Sequence, residues 1–167
     1  MGNFVAIDFE TANYSRTSAC AVGMVHVRES KIIAEETLLI RPPQRQFNFT
    51  YIHGLTWNDV KDKPTFVECW DSINRFITRA DFLVAHNASF DRGVLQRCCE
   101  NYGIPAPSLP FVCTVQLARK QWDIFPTKLP DVCDYLDIPL NHHDAASDSQ
   151  ACAKIVIAAE NEGWRFS

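Results

Sequence analysis

Val5-Ala6-Ile7-Asp8-Phe9-Glu10-Thr11 decides how this chain is read. Phe4 to Ile7 is a short apolar run, which predicts a strand at the centre of a sheet. It runs directly into two acids, so Asp8 and Glu10 fall at or beyond the end of a buried strand. Residues i and i+2 of a strand point to one face, which sets the two carboxylates roughly 7 Å apart. Side by side they repel, unless a cation lies between them or water solvates both.

Working outward, Ala19–Val27 and Lys31–Ile40 read as two further strands, with a tight turn at Arg28-Glu29-Ser30. Arg41-Pro42-Pro43 stops the third strand. Residues 44–62 show no period and read as a long loop. Pro64 suits the first position of a helix to Arg79, with Phe66, Val67, Trp70, Ile73 and Ile77 as its buried stripe. Asp81–Ala85 is a fourth strand, and a helix is expected from Phe90 to Tyr102. Phe111–Cys113 is a short strand, with Thr114 capping the next helix. Lys128–Leu136 is a short helix, and a last helix starts between Asp144 and Ser147 and runs to Asn161, with Gly163 as its stop. Three strands followed by alternating helices and strands indicate an α/β fold with a mixed sheet.

Composition excludes several classes. The chain has 167 residues, enough for one ordinary domain with a sizeable core. Its 47% hydrophobic and 22% charged residues are globular values, not those of a disordered or fibrous chain. No apolar run nears the ~18 residues of a membrane span, and the acidic N-terminus does not read as a signal peptide. Seven cysteines, an odd number without CxxC spacing, read as reduced core thiols of a cytoplasmic protein rather than a disulfide framework or a zinc site. The formal net charge of −4 disfavours a broad phosphate-tracking surface.

Two further clusters carry chemistry. Ala85-His86-Asn87-Ala88-Ser89-Phe90-Asp91 takes a buried strand through a polar turn into a helix, a usual place for a site in α/β sheets. His86 and Asn87 read first as turn-stabilising side chains. His142-His143-Asp144-Ala145-Ala146-Ser147-Asp148 places an imidazole five residues before a carboxylate. These do not share a helix face, but converge if the histidine lies on the loop before the helix. Ser147 with Gln150, or Asp144, could cap that helix, and the sequence leaves its start open. Four acids and a histidine then come from strand ends and helix starts. Oxygen donors select Mg²⁺ or Mn²⁺ over zinc. Two such ions would offset the −4 charge and draw phosphate to the site.

With these three segments in order, the chain resembles the DnaQ-like, DEDDh-type 3′→5′ exonucleases, which include the proofreading epsilon subunit of the bacterial replicative polymerase. Ile52-His53-Gly54-Leu55-Thr56 also looks like the family's loop after the third strand. The resemblance covers residues 4 to about 160 and implies a single exonuclease domain over residues 1–167. It implies a ribonuclease H-like mixed five-stranded sheet, the first three strands antiparallel, with helices on both faces. It further implies that Asp8, Glu10, Asp91 and Asp148 hold two divalent cations, Mg²⁺ or Mn²⁺, and that His143 is the general base. His142 is left as a bystander. Phe9 and Thr11 would line the pocket for the terminal nucleotide. His53, Leu55 and Phe90 would wedge or stack against the last bases, and Asn87 would support the second segment or touch substrate.

The implied reaction hydrolyses terminal phosphodiesters of single-stranded DNA and releases nucleoside 5′-monophosphates. An RNA substrate is the alternative, and a non-catalytic nucleic-acid-binding module a remote one. The expected partners are DNA or RNA 3′ ends. No membrane is expected as a partner. A polymerase or other protein partner is possible but not indicated, and the end of the sequence soon after the last helix leaves no room for the polymerase-binding tail of epsilon subunits. Oligomeric state is left open. Among the scattered basic residues Arg16, Arg41, Arg45, Arg92, Arg97, Arg119 and Lys128, Arg92 is expected nearest the site because it follows Asp91.

Overall fold

The computed structural model describes residues 1–167. Five strands form one mixed sheet: β1 (Asn3–Thr11), β2 (Ala19–Arg28), β3 (Lys31–Leu39), β4 (Phe82–Ala85) and β5 (Phe111–Cys113). Their order is β3-β2-β1-β4-β5. The pairs β1/β2 and β2/β3 are antiparallel, whereas β4 is parallel to both β1 and β5. This is the expected mixed sheet with its first three strands antiparallel.

Seven helices accompany it: α1 (Thr50–His53), α2 (Trp57–Val60), α3 (Phe66–Ile77), α4 (Ala88–Asn101), α5 (Thr114–Trp122), α6 (Leu129–Leu136) and α7 (Ala145–Asn161). The period of two in β1 sends its side chains into two cores. Val5, Ile7 and Phe9 pack with Ile73 and Ile77 of α3 and with Val94, Leu95 and Cys98 of α4. Phe4 and Ala6 pack with Leu117 of α5, Val132 of α6 and Ile155 and Val156 of α7. Helices therefore cover both faces, and central strands buried on both sides read as continuous apolar runs.

Several boundaries differ from the sequence expectation. β1 extends to Thr11, so Asp8 and Glu10 stand within the strand and continue the row of Phe4 and Ala6 toward α7. The segment 44–62 contains α1 and α2, each of one turn and too short to show a hydrophobic period. α3 starts after Thr65, which forms a capping box with Glu68, leaving Pro64 outside the helix. α4 starts at Ala88 rather than Phe90, after Asn87 in the left-handed region (φ 61°, ψ 55°), a conformation asparagine tolerates. Thr114 is the first residue of α5, not its cap. Its hydroxyl instead lies 2.8 Å from Nδ1 of His86. For α7 the structure selects Asp144 as the cap, whose carboxylate accepts from Ser147 N at 2.9 Å.

All seven cysteines are free, and six are buried. No helix is long and apolar enough to cross a membrane.

Candidate active site

The site lies where β1 outruns its parallel neighbour. β4 pairs with β1 only from Phe4 to Ala6, so the N–H of Phe9 has no strand partner on that side. Asp91 takes it: its Oδ1 accepts from Phe9 N at 2.9 Å. Asp91 belongs to the same helical stripe as Val94, Leu95 and Cys98, three, four and seven residues on, and that stripe faces the sheet. One carboxylate thus completes the backbone bonding of β1 and stays buried beside Asp8.

α7 supplies the opposite wall. Its apolar residues cover Phe4 and Ala6, and its first turn puts Asp148 over Asp8 and Glu10. Ligand oxygens of these three residues all lie within 4.8 Å of one another, closer than strand geometry alone predicts for Asp8 and Glu10. The loop before α7 is tied to the same carboxylate. Asp148 Oδ2 accepts from His143 N at 3.0 Å and lies 3.2 Å from His142 Nδ1. His143 holds a positive φ of 66°, which turns the chain sharply here. The two imidazoles stack with centroids 3.7 Å apart, and both line the cavity with Asp8, Glu10, Asp91 and Asp148. His142, expected to be a bystander, therefore restrains Asp148. Nothing in its spacing signals this, because the contact depends on the turn at His143.

Electrostatics follow from burial. Asp8 is held well above the ordinary carboxylate range, by desolvation first and then by the charges of Asp91 and Glu10. Burial, then the charge of Asp148, raises Glu10 to about 8. Burial raises Asp91 to about 7 against the opposing bond from Phe9. Asp148 is also raised by burial, which its contact with His142 partly offsets. His143 is lowered by desolvation and by neighbouring His142, so it is neutral and able to accept a proton near pH 7.

One buried oxygen, Asp8 Oδ2, has no hydrogen-bond partner. An orphaned buried carboxylate oxygen is costly, and a hard divalent cation is the partner that suits an all-oxygen donor set. The residues present fit such an ion.

Beside the acids is a second cavity of about 250 Å³, lined by Phe9, Glu10, Thr11, Phe49, Ile52, His53 and Phe90. Phe9, Thr11, His53 and Phe90 are brought together as expected. His53 is fixed there: Nε2 donates to Thr11 O at 2.9 Å, and Nδ1 accepts from Leu55 N at 3.1 Å. Leu55, half-buried, packs on the small cluster of Ala12, Cys20 and Val60 and does not line this cavity. Phe49 and Ile52 line it as well, and exposed Tyr14 meets Phe49 edge-on at 4.8 Å. Neither Phe49 nor Ile52 carries a periodic signal in the sequence, because α1 is a single turn and Phe49 precedes it. Asn87 lines the acidic cavity with an exposed side chain.

His86 is a half-buried strut. Nε2 donates to Thr127 O at 3.0 Å, Nδ1 faces the Thr114 hydroxyl, and burial lowers the ring to about 4. It stays neutral, joining the end of β4 to the loop before α6. Arg92 is a correction. Its guanidinium lies over Phe111 at 5.2 Å, in a surface cleft with Gln96 and Ser108, because successive helical residues diverge by about 100°.

Four carboxylates from three separated segments, beside an aromatic cavity and a neutral imidazole, define a DEDDh-type nuclease on a ribonuclease H-like sheet. A family model described as an exonuclease, RNase_T, matches residues 5–156, and the chain belongs to this exonuclease family. Divalent metal ions are typical of it. The PolC-type DNA polymerase III of Clostridium perfringens is 30% identical over 158 residues, covering 92% of this chain but 11% of that protein. The chain thus spans about a tenth of the length of that polymerase. The structure of Exonuclease X in complex with 5′ overhanging duplex DNA is similar with a TM-score of 0.78, at 26% identity over 97% of this chain and 94% of that one. The nuclease domain of 3′hExo, a DEDDh family member bound to rAMP, superposes with a TM-score of 0.83 at 16% identity, covering 97% and 93% of the two chains, and shows the shared fold.

The raised carboxylates give stability a definite pH sign. Their unfolded values lie near 4, and the folded values of Asp91 and Glu10 near 7 and 8. Between these limits the native metal-free protein binds more protons than the unfolded chain, so stability falls as pH rises. A cation binds the ionised form and counteracts this. Mg²⁺ or Mn²⁺ at about 100 times its Kd is expected to raise Tm by about 5–10 °C at pH 8. The shift should be clearly smaller at pH 5.5. Scanning calorimetry with and without EDTA checks both values; equal shifts at the two pH values would contradict the assignment.

Proposed function

We propose that this chain is a metal-dependent 3′→5′ exonuclease. It acts on single-stranded nucleic acid, DNA in the first place, and releases nucleoside 5′-monophosphates. The observation that carries the reading is the convergence of Asp8, Glu10 and Asp148 within 4.8 Å around an unpaired buried carboxylate oxygen, with Asp91 alongside. Residues 1–167 act as one catalytic domain, in the reducing cytoplasm that six buried free thiols suit.

Asp8, Glu10, Asp91 and Asp148 would hold two divalent cations. When bound, these supply Lewis-acid polarisation of the phosphate and ease deprotonation of the attacking water. The protein's own residues do the rest. His143, neutral and exposed at the cavity rim, takes a proton from the attacking water. Asp148, clamped by His142 and by the His143 backbone, fixes where that imidazole stands. Phe9, Thr11, His53 and Phe90, with Phe49 and Ile52, enclose the terminal nucleoside, and aromatic faces accept any base. Asn87 contacts the substrate from the turn before α4. DNA is preferred over RNA because the relative at 30% identity is a DNA polymerase and the similar Exonuclease X structure holds DNA.

The test is a time course on matched 5′-labelled single-stranded DNA and RNA, with Mg²⁺, Mn²⁺ or EDTA. A ladder shortening from the 3′ end, lost in EDTA, is expected, faster on DNA. His143→Ala should lower kcat by about 10²–10⁴-fold, the usual contribution of a general base. His142→Ala should cost less, since it acts through Asp148. A faster RNA ladder would reassign the substrate. Shortening from the 5′ end, or no cleavage by folded wild-type protein, would overturn the proposal.

A further inference from the structure

A glycine in mid-helix is destabilising relative to alanine. Gly93 sits inside α4, two residues after Asp91. A Cβ there would stand 1.9 Å from Nη1 of Arg16 and 2.9 Å from its Cζ. The missing side chain is therefore a seat for the Arg16 guanidinium. From this seat Arg16 lies 6.0 Å from the centre of the Phe90 ring, a wall of the nucleoside cavity. Its only hydrogen bond is a long one, Nη1 to Ser89 O at 3.4 Å. Most of its donors are free.

The loop carrying Arg16 is tied together by its own hydrogen bonds. Ser15 N donates to Asn13 Oδ1, Asn13 N to Ser18 Oγ, and Ser18 Oγ to Ser15 O. Cys98 also donates to the Arg16 carbonyl. On the far side of Arg16 a polar cleft of about 510 Å³ opens, lined by Ser15, Thr17 and Arg97 together with Glu100 and Asn101. Arg97 shares its charge with Glu100 at 3.1 Å, which leaves Arg16 the dominant free cation there. A chain of net charge −4 that handles a polyanion needs local positive charge beside its acidic centre.

We propose that Arg16, seated by Gly93, binds a backbone phosphate of the substrate strand upstream of the terminal nucleotide, at the mouth of the Ser15–Arg97 cleft. This rests on the exonuclease reading above. It adds a phosphodiester subsite outside the acidic centre, and it gives the helix glycine a purpose.

Two readouts separate the inference from that reading. The first is kcat/KM on a 5′-labelled ten-nucleotide DNA divided by kcat/KM on the p-nitrophenyl ester of thymidine 5′-monophosphate, which has no upstream phosphate. The second is the salt dependence of Kd for a fluorescein-labelled ten-nucleotide DNA in Ca²⁺, which needs no turnover. Arg16→Ala should lower the ratio about tenfold, as loss of a charged hydrogen bond does. It should also reduce the salt slope by about one. Gly93→Ala favours the helix and so keeps the fold, but it expels the guanidinium. It should reproduce both effects. Wild-type ratio and slope in Arg16→Ala, or equal losses on DNA and ester, would overturn the proposal. An effect of Arg16→Ala that Gly93→Ala does not share would overturn the seat. If wild-type protein hydrolyses neither substrate, the exonuclease reading fails, and the Kd slopes still decide the role of Arg16.

Discussion

Asp8→Asn is expected to lower hydrolysis by about a thousandfold or more while making the metal-free protein more stable. The two effects share one cause. Asp8 has a buried Oδ2 without a partner, and its neighbours Asp91 and Glu10 are also acids. In the folded metal-free protein the group keeps a proton that it loses on unfolding, so stability falls as pH rises from the unfolded value, near 4, toward the raised folded one. The amide removes that cost, and the gain in Tm should widen from pH 5 to pH 8. The same change removes a negative ligand from the proposed cation site, and Lewis-acid stabilisation of several kcal/mol corresponds to three or more powers of ten in rate. Calorimetry, a Mg²⁺ titration and the nuclease time course together check it. An unfolded mutant would contradict the expected gain in stability, and a folded one that keeps its Mg²⁺-induced Tm shift would show that Asp8 does not hold the ion.

Gly23→Ala is expected to damage both stability and activity although residue 23 touches no substrate. Gly23 pairs with Asp8 across β1 and β2. A Cβ there would stand 2.0 Å from Ala145 O, 2.6 Å from Ala145 C and 2.6 Å from Ser149 Oγ. Two of these atoms are backbone of α7 and cannot move alone. The helix start must lift from the sheet, which costs about 1–3 kcal/mol or somewhat more. Tm should fall by about 5–10 °C. Ala145 and Ser149 flank Asp148, so the lift draws that carboxylate away from Asp8 and Glu10. A displacement near 1 Å in such a site costs about a hundredfold in rate. The expected pattern is a large loss of kcat at a temperature where the mutant is still folded. Wild-type kcat in Gly23→Ala would mean that α7 is not positioned through this contact.

The sequence by itself determined the class of fold and the acidic segments. Phe4 to Ile7 and Phe82 to Ala85 are apolar on consecutive positions because helices cover both faces of their sheet, and that burial is written in composition. Asp8, Glu10, Asp91 and Asp148 stand out because charges do not otherwise belong at buried positions, and the structure sets them around one cavity. What the tertiary structure alone decided is the geometry between segments. β1 outrunning β4 gives Asp91 a backbone N–H to accept, and no local pattern encodes that offset. The side of α4 that faces the sheet sends Arg92 to Phe111 and leaves Gly93 open to Arg16 from a distant loop. The one-turn helix α1 and the residue before it place Ile52 and Phe49 in the cavity beside the acids, whereas Leu55 packs on Ala12, Cys20 and Val60. The left-handed turn at His143 brings His142 onto Asp148. Local propensity is summed over neighbours in the chain. These contacts join residues tens of positions apart or hang on a single backbone dihedral, and they exist only once sheet register and helix packing fix where each side chain points.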